Sequence, residues 1–341
     1  MPARVPAAAP ADFLGLVSED LIGGDESYRR RTLARQRAVG VRLLRQTFDW
    51  SSIEKAPGRY DLRFHDRYVA SLARERIRVL PVLFNPPSFR SSAPARGARR
   101  GTYPPRRPRD LGGLGAVLAR RYGPHGSLWS ERPDLPKLPI RSWQVWNEPS
   151  LPVYWASGPD PAEYVALLKS TRRGIRSVDP RAEIVSAGLA ESRLGIPFAQ
   201  FVRGMFRAGA GSALDTLALH PYAADARDAV QAVASARRLI RQAGDDAPIW
   251  ITEIGWATGG PPSPFRVTRR RQAELVREVI AELGRRRREL GVRGVVYFNW
   301  KDSRPFAGGS DFFGLHTGLL DIGGRPKPAL AAYRRASEAL R

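Results

Sequence analysis

Residues 140–149 read IRSWQVWNEP: a run, Ile140 to Trp146, with the character of a buried β-strand, closing on Asn147, Glu148 and Pro149. A second stretch, PIWIT at 248–252, has the same character and closes on Glu253. On either side of these two, strand followed by helix recurs along the whole chain. Strands are predicted at Phe13 to Val17, Val39 to Gln46, Ile77 to Phe84, Ile140 to Trp146, Glu183 to Gly188, Leu214 to Leu219, Pro248 to Ile254 and Val292 to Asn299. Most are short and rich in Val, Ile and Leu, as strands covered on both faces must be. Helical patterns fall near 25–38, 62–75, 110–122, 161–177, 197–208, 228–243, 268–289 and 327–340. Asp160 before Pro161, with Glu163 following, gives one helix an N-cap, a first-turn proline and a favourable dipole charge.

Eight such units predict an α/β fold, a (β/α)8 TIM barrel in a single domain over 12–341, preceded by a flexible segment at 1–11. The alternative is an open doubly wound sheet, which binds its ligand where the strand order reverses. The chain has no GxGxxG fingerprint to support it. The stretch LGGLGAVL at 111–118 has Leu118 where the last glycine belongs and reads as the loop entering the third helix.

Composition narrows the chemistry. With 43% hydrophobic residues among 341, the chain can bury a large core. It contains no cysteine, which removes disulfides, thiolate catalysis and cysteine-ligated metals. Four histidines, widely separated at 65, 125, 220 and 316, predict no protein metal site, and no cofactor motif is present. There is no P-loop, no GxSxG elbow and no HExxH helix. The N-terminal MPARVPAAAPADF lacks the apolar core of about 7–15 residues of a signal peptide. No apolar run approaches the roughly 20 residues of a membrane span. The expectation is a soluble monomer, with secreted or cell-envelope placement left open.

A formal charge of +23 raises a nucleic-acid reading. Only five of the 56 basic residues are Lys, however, and an Arg excess beside abundant Ala, Gly and Pro is what a GC-rich coding sequence produces. The runs Arg269 to Arg271 and Arg285 to Arg288 flank apolar residues at helical spacing and read as the solvated face of one amphipathic helix. No nucleic-acid partner is expected.

A (β/α)8 barrel carries its active site at the carboxyl ends of the strands, so polar residues there deserve the functional reading. They are Arg45, Asn85, Asn147, Glu148, His220, Tyr222, Glu253, Asn299, Trp300 and Asp302. Two carboxylates across one cleft are the minimum machinery for breaking a glycosidic bond: one protonates the leaving oxygen, the other attacks carbon or activates water.

With these motifs in order, the chain resembles the clan A retaining glycoside hydrolases, families 39 and 5 most nearly. The resemblance covers nearly the whole chain and rests on GVRLLRQTFDWSSIEKAPGRYD at 40–61, VWNEP at 145–149, LALHPYA at 217–223, WITEIGW at 250–256, YFNWKD at 297–302 and GLLDIGGRPKPA at 318–329. It implies that Glu148 is the general acid/base and Glu253 the nucleophile. It further implies that Arg45 keeps Glu253 charged, that Tyr222 donates to it, that Asn147 holds the sugar 2-hydroxyl and that His220 helps position the glutamates. Trp300 becomes the platform under the sugar ring; Trp50, Trp146, Trp155 and Trp256 are secondary candidates for which core packing is the default. Arg42 competes with Arg45, which is preferred because it matches the family position.

The implied substrate is a β-linked glycoside or polysaccharide. A transglycosylase would use the same two glutamates, and a non-catalytic glycan-binding barrel is the rival from another class. The Pro- and Arg-rich stretch 85–109 is expected to wall the cleft, and 123–139 to lie on the opposite face with a structural role.

Overall fold

The computed structural model describes residues 8–95, 101–305 and 309–341. In chain order the elements are β1 (Leu14–Val17), α1 (Asp20–Gly23), α2 (Glu26–Ala38), β2 (Leu43–Asp49), α3 (Trp50–Ile53), β3 (Glu54–Ala56), β4 (Arg59–Tyr60), α4 (Arg63–Arg74), β5 (Arg78–Phe84), α5 (Pro108–Tyr122), α6 (Ser127–Glu131), β6 (Ser142–Val145) and α7 (Pro161–Arg176). There follow β7 (Glu183–Val185), β8 (Leu189–Ala190), α8 (Phe198–Arg207), β9 (Leu217–His220), α9 (Ala226–Gln242), β10 (Ile249–Ile251), α10 (Arg269–Arg285), α11 (Arg287–Leu290), β11 (Val292–Tyr297) and α12 (Pro328–Ala339). Every strand and helix read from the sequence has its counterpart. The fold is mixed α/β with parallel strands, apart from the β3–β4 hairpin.

The chain forms two compact units. The first comprises Met1–Arg45, Pro221–Arg237 and Ile249–Arg341. Within it the strands lie in the order β2-β1-β11-β10, paired in parallel through Leu16 with Leu44, Leu14 with Val295, and Trp250 with Gly294. Leu14, Leu16, Val295, Val296 and Tyr297 are buried in its core. Of the N-terminal segment, residues 1–7 lie outside the described residues, while Ala9 N–H donates to Leu340 O at 2.9 Å.

The second unit comprises Gln46–His220 and Arg238–Pro248. Here β5-β6-β7 pair in parallel (Val82 with Gln144, Trp143 with Ile184), as do β8 and β9 (Leu189 with Leu219). Asp160 caps α7 as its sequence suggests, its carboxylate accepting from Ala162 N at 2.6 Å and Glu163 N at 3.2 Å. Such a cap stabilises a helix by about 1 kcal/mol.

The glycine-rich LGGLG stretch is not the loop it resembles; it lies inside α5. A Cβ on Gly174 of α7 would sit 2.0 Å from Gly112 O, so the glycines let α5 and α7 approach more closely than any side chain permits. Tertiary packing there overrides poor helix propensity.

The loops divide as their anchors dictate. In 85–109, of which 96–100 lie outside the described residues, Arg90 pairs at 2.7 Å with the buried Glu54, which also accepts from Trp50 Nε1 at 2.7 Å. That arginine holds the loop to the hairpin. In 123–139, Leu128 and Trp129 of α6 are buried. The arginines of α10 and α11 lie mostly at the surface and pair with Glu274, Glu278, Glu282 and Glu289 along their own helices, as a solvated face does. No helix among the described residues is long and apolar enough to cross a membrane.

Candidate active site

In the second unit the chain leaves β6 through a tight turn. Trp146 (φ +74°) and Glu148 (φ +41°) both adopt left-handed backbone, although neither is glycine. Such conformations cost of order 1–3 kcal/mol each and persist only where the surroundings over-determine them. Here Trp146 N–H donates to Leu83 O at 3.0 Å and Glu148 N–H to Gly188 O at 3.1 Å. The Trp146 indole N–H donates to Tyr154 O at 2.8 Å. The indole is thereby committed to packing, and the backbone that carries Glu148 is hydrogen-bonded on both sides of the turn.

Glu148 Oε1 lies 2.7 Å from Nδ1 of His220, whose side chain is fully buried at the end of β9. Either partner can carry the shared proton. A Cβ on Gly188 would fall 1.9 Å from His220 Nε2, so only glycine leaves room for the imidazole in this pose. Asn147 bridges to Gly188 through its backbone, beside Glu148. Asn85, at the end of β5, donates to Asp49 at 2.9 Å.

In the first unit, β10 ends two residues before Glu253. Glu253 Oε1 accepts from Arg45 Nη1 at 2.6 Å, and Oε2 accepts from the Tyr222 hydroxyl at 2.8 Å. Both side chains of the ion pair are nearly buried, at 6% and 12% exposure. A charge-assisted bond on one oxygen and a phenol donor on the other stabilise the carboxylate in its ionised form. Arg45 is not at the end of its strand but within β2, opposite Val17 of β1. Arg42 donates instead to backbone carbonyls of Arg37 and Val41.

Beyond β11, the Phe298–Asn299 peptide is cis and Trp300 N–H donates to Val17 O at 2.8 Å. The Trp300 ring is only 1% exposed, with the Arg35 guanidinium 5.7 Å from its centroid. A sugar can stack on it only after that cover moves. Trp50, Trp146, Trp155 and Trp256 are equally buried. Asp302 holds the buried ammonium of Lys327 at 2.7 Å and so ties the C-terminal tail to the end of β11.

Sequence reasoning passed over Glu19, two residues beyond β1. Its side chain reaches solvent, yet burial pushes its carboxyl up to about 6, with the Glu253 charge adding to the rise and Arg45 opposing it. A third carboxyl therefore senses the Arg45–Glu253 pair. The strand-end rule would have found it had it been applied to the first strand.

The fold has counterparts among solved structures. A family 39 glycoside hydrolase from Bacteroides cellulosilyticus aligns over 97% of this chain and 64% of its own, with TM-score 0.69 and 19% identity. The family 39 enzyme of Xanthomonas axonopodis aligns over 96% and 67%, with TM-score 0.69 and 21% identity. The fold is shared with glycoside hydrolases. An exo-β-1,4-mannosidase from an Opitutaceae bacterium extends the likeness at TM-score 0.62 and 19% identity, over 96% of this chain and 59% of its own. The chain thus spans about two thirds or less of the length of these proteins. No protein-family model matches the sequence, and no curated protein does so.

Proposed function

We propose that the chain is a retaining glycosidase that hydrolyses β-linked glycosides, built as a closed (β/α)8 barrel in one domain. The observation that carries this reading is the contrast between the two glutamates. Glu253 is gripped at both oxygens by a cation and a phenol, the setting of an ionised nucleophile. Glu148 is hydrogen-bonded through Oε1 to an imidazole nitrogen, a partner suited to a group that must gain and lose a proton.

In the first step Glu253 attacks the anomeric carbon while Glu148 delivers its proton to the departing oxygen. The glycosidic C–O bond breaks and a glycosyl ester on Glu253 forms. In the second, Glu148 takes a proton from water, whose oxygen attacks the anomeric carbon and frees Glu253. The chemistry requires the two carboxyls to stand about 5–5.5 Å apart. Asn147 is assigned the sugar 2-hydroxyl, a contact that strengthens as the oxocarbenium-like transition state forms. Trp300 keeps its assignment as sugar platform for a state in which its ring is uncovered.

A screen of aryl β-glycosides and β-glycans, with the first-formed product read by proton NMR, tests the reading. The β anomer should appear first and mutarotate later; initial release of the α anomer would mean inversion and sink the covalent mechanism.

Glu19 adds a pH dependence. Below pH about 6 its carboxyl is neutral, and above it the group is an anion. An added negative charge near Glu253 favours a transition state with positive charge at the anomeric carbon. kcat/KM should therefore rise through pH about 6, and the Glu19→Gln variant should lack that rise. A pH–rate profile of the two proteins decides the matter.

A further inference from the structure

The open aromatic surface near Glu253 is not Trp300 but a cluster around Tyr222. The Tyr222 ring packs against Phe265 at 5.8 Å and against Phe313, edge-on, at 5.2 Å; Phe265 and Phe313 lie 4.8 Å apart. Phe265 comes from the loop after β10, and Phe313 from a single helical turn, Phe313–His316, after β11. Both phenylalanines are only half-buried, so apolar ring surface meets water beside the tyrosine that donates to the nucleophile.

The cluster is built rather than draped. Ala257 N–H donates to Phe265 O at 2.8 Å, and Thr258 N–H to His316 O at 2.9 Å, stitching the two loops together. The buried Lys327 ammonium then reaches Thr258 Oγ1 at 2.8 Å and His316 O at 3.3 Å. Burying an ammonium costs free energy that surface loops have no general need to spend. Here it fixes the two segments that present the rings. At one end of the turn that carries Phe313, His316 Nε2 lies 2.7 Å from Asp311, which puts hydrogen-bonding groups next to the aromatic cluster.

Half-exposed aromatic rings, inclined 60° to each other, with a polar rim suit one ligand class: a pyranose ring, with C–H groups on its face that pack on an aromatic ring and hydroxyls at its edge. An aliphatic or lipid partner would have no use for the rim. Resting on the glycosidase reading above, we infer that Phe265 and Phe313 form a subsite for a second pyranose ring of the substrate, adjoining the one attached to Glu253. The chain is then built for oligosaccharides rather than for simple monosaccharide glycosides.

The test compares the wild type with the double variant Phe265→Leu/Phe313→Leu, which keeps apolar bulk but loses both flat rings. Two probes are used in each of the glucose, galactose, mannose and xylose series: the glycosyl fluoride, which has no second ring, and the β-1,4-linked tetrasaccharide. KM for the tetrasaccharide should rise about tenfold, with kcat and the fluoride kinetics changed less than about twofold. Replacing either leucine by tryptophan should recover most of the loss. An unchanged tetrasaccharide KM, or equal losses on both probes, would overturn the subsite, the latter exposing a merely structural role through Tyr222. Should the wild type turn over neither probe, the glycosidase reading fails separately. Calorimetric titration with the tetrasaccharides then decides the subsite: binding that the double variant loses supports it, and absent or unchanged binding refutes it. Melting curves of both proteins confirm that the variant is folded.

Discussion

Replacing Glu253 with alanine should lower turnover by about 10⁴-fold or more, the scale on which removing a member of a catalytic unit acts. Sodium azide should then restore it. The expectation follows from what the substitution leaves behind. Arg45 and Tyr222 both donate to this one carboxylate, and in its absence a cation and a phenol face a space the size of the missing group. A small anion fits that electrostatic demand. Azide there attacks the anomeric carbon of an activated aryl β-glycoside, the C–O bond to the phenol breaks, and the product is the α-glycosyl azide. Undiminished turnover of the variant would sink the nucleophile assignment. Because Arg45 is nearly buried, loss of its counterion also costs stability, by about 3–5 kcal/mol when a buried pair is broken. Melting temperature must therefore be measured beside activity, and recovery by azide is the safeguard, since an unfolded protein is not rescued by an anion.

The strands were legible because their Val, Ile and Leu runs are covered on both faces, and the helices from their patterns, with a locally written cap at Asp160 for one of them. The fifth strand was legible only in part. Read as continuous from Glu183 to Gly188, it ends as β7 at Val185, and β8 begins only beyond it at Leu189, because Ala218 N–H bonds to the Ser186 hydroxyl and Ala187 N–H to the Tyr164 hydroxyl instead of to a strand ladder. Side chains take the place of backbone partners there, and no periodicity announces that. Gly188 carries no sequence mark of its use either; its reason is the imidazole of His220, far along the chain. The pairing of Arg45 with Glu253 came from resemblance alone, since in an arginine-rich chain one arginine among many carries no local mark. Trp300 shows the converse limit. Its place after β11 was readable, but its cover by Arg35 of α2 depends on packing that no local pattern encodes.

Glu148→Ala should fail differently, and the difference is what assigns the two roles. The acid matters in proportion to how badly the leaving group needs a proton. For an alkyl glycoside or an oligosaccharide the first step should slow by about 10²–10⁴-fold, the usual worth of a positioned acid. For a dinitrophenyl glycoside, whose phenolate leaves unaided, the same step should slow far less. The second step still lacks its base, so the glycosyl ester on Glu253 should accumulate and appear as a burst of phenol. The left-handed backbone at this position burdens alanine no more than glutamate, so the fold should survive the change. Equal losses on both substrate types would argue against an acid role for Glu148. Azide again discriminates. In this variant it attacks the intermediate rather than the substrate, and two successive inversions give the β-glycosyl azide. An α-azide from the Glu253 variant and a β-azide from the Glu148 variant can arise together only if one carboxylate forms the ester and the other moves the proton.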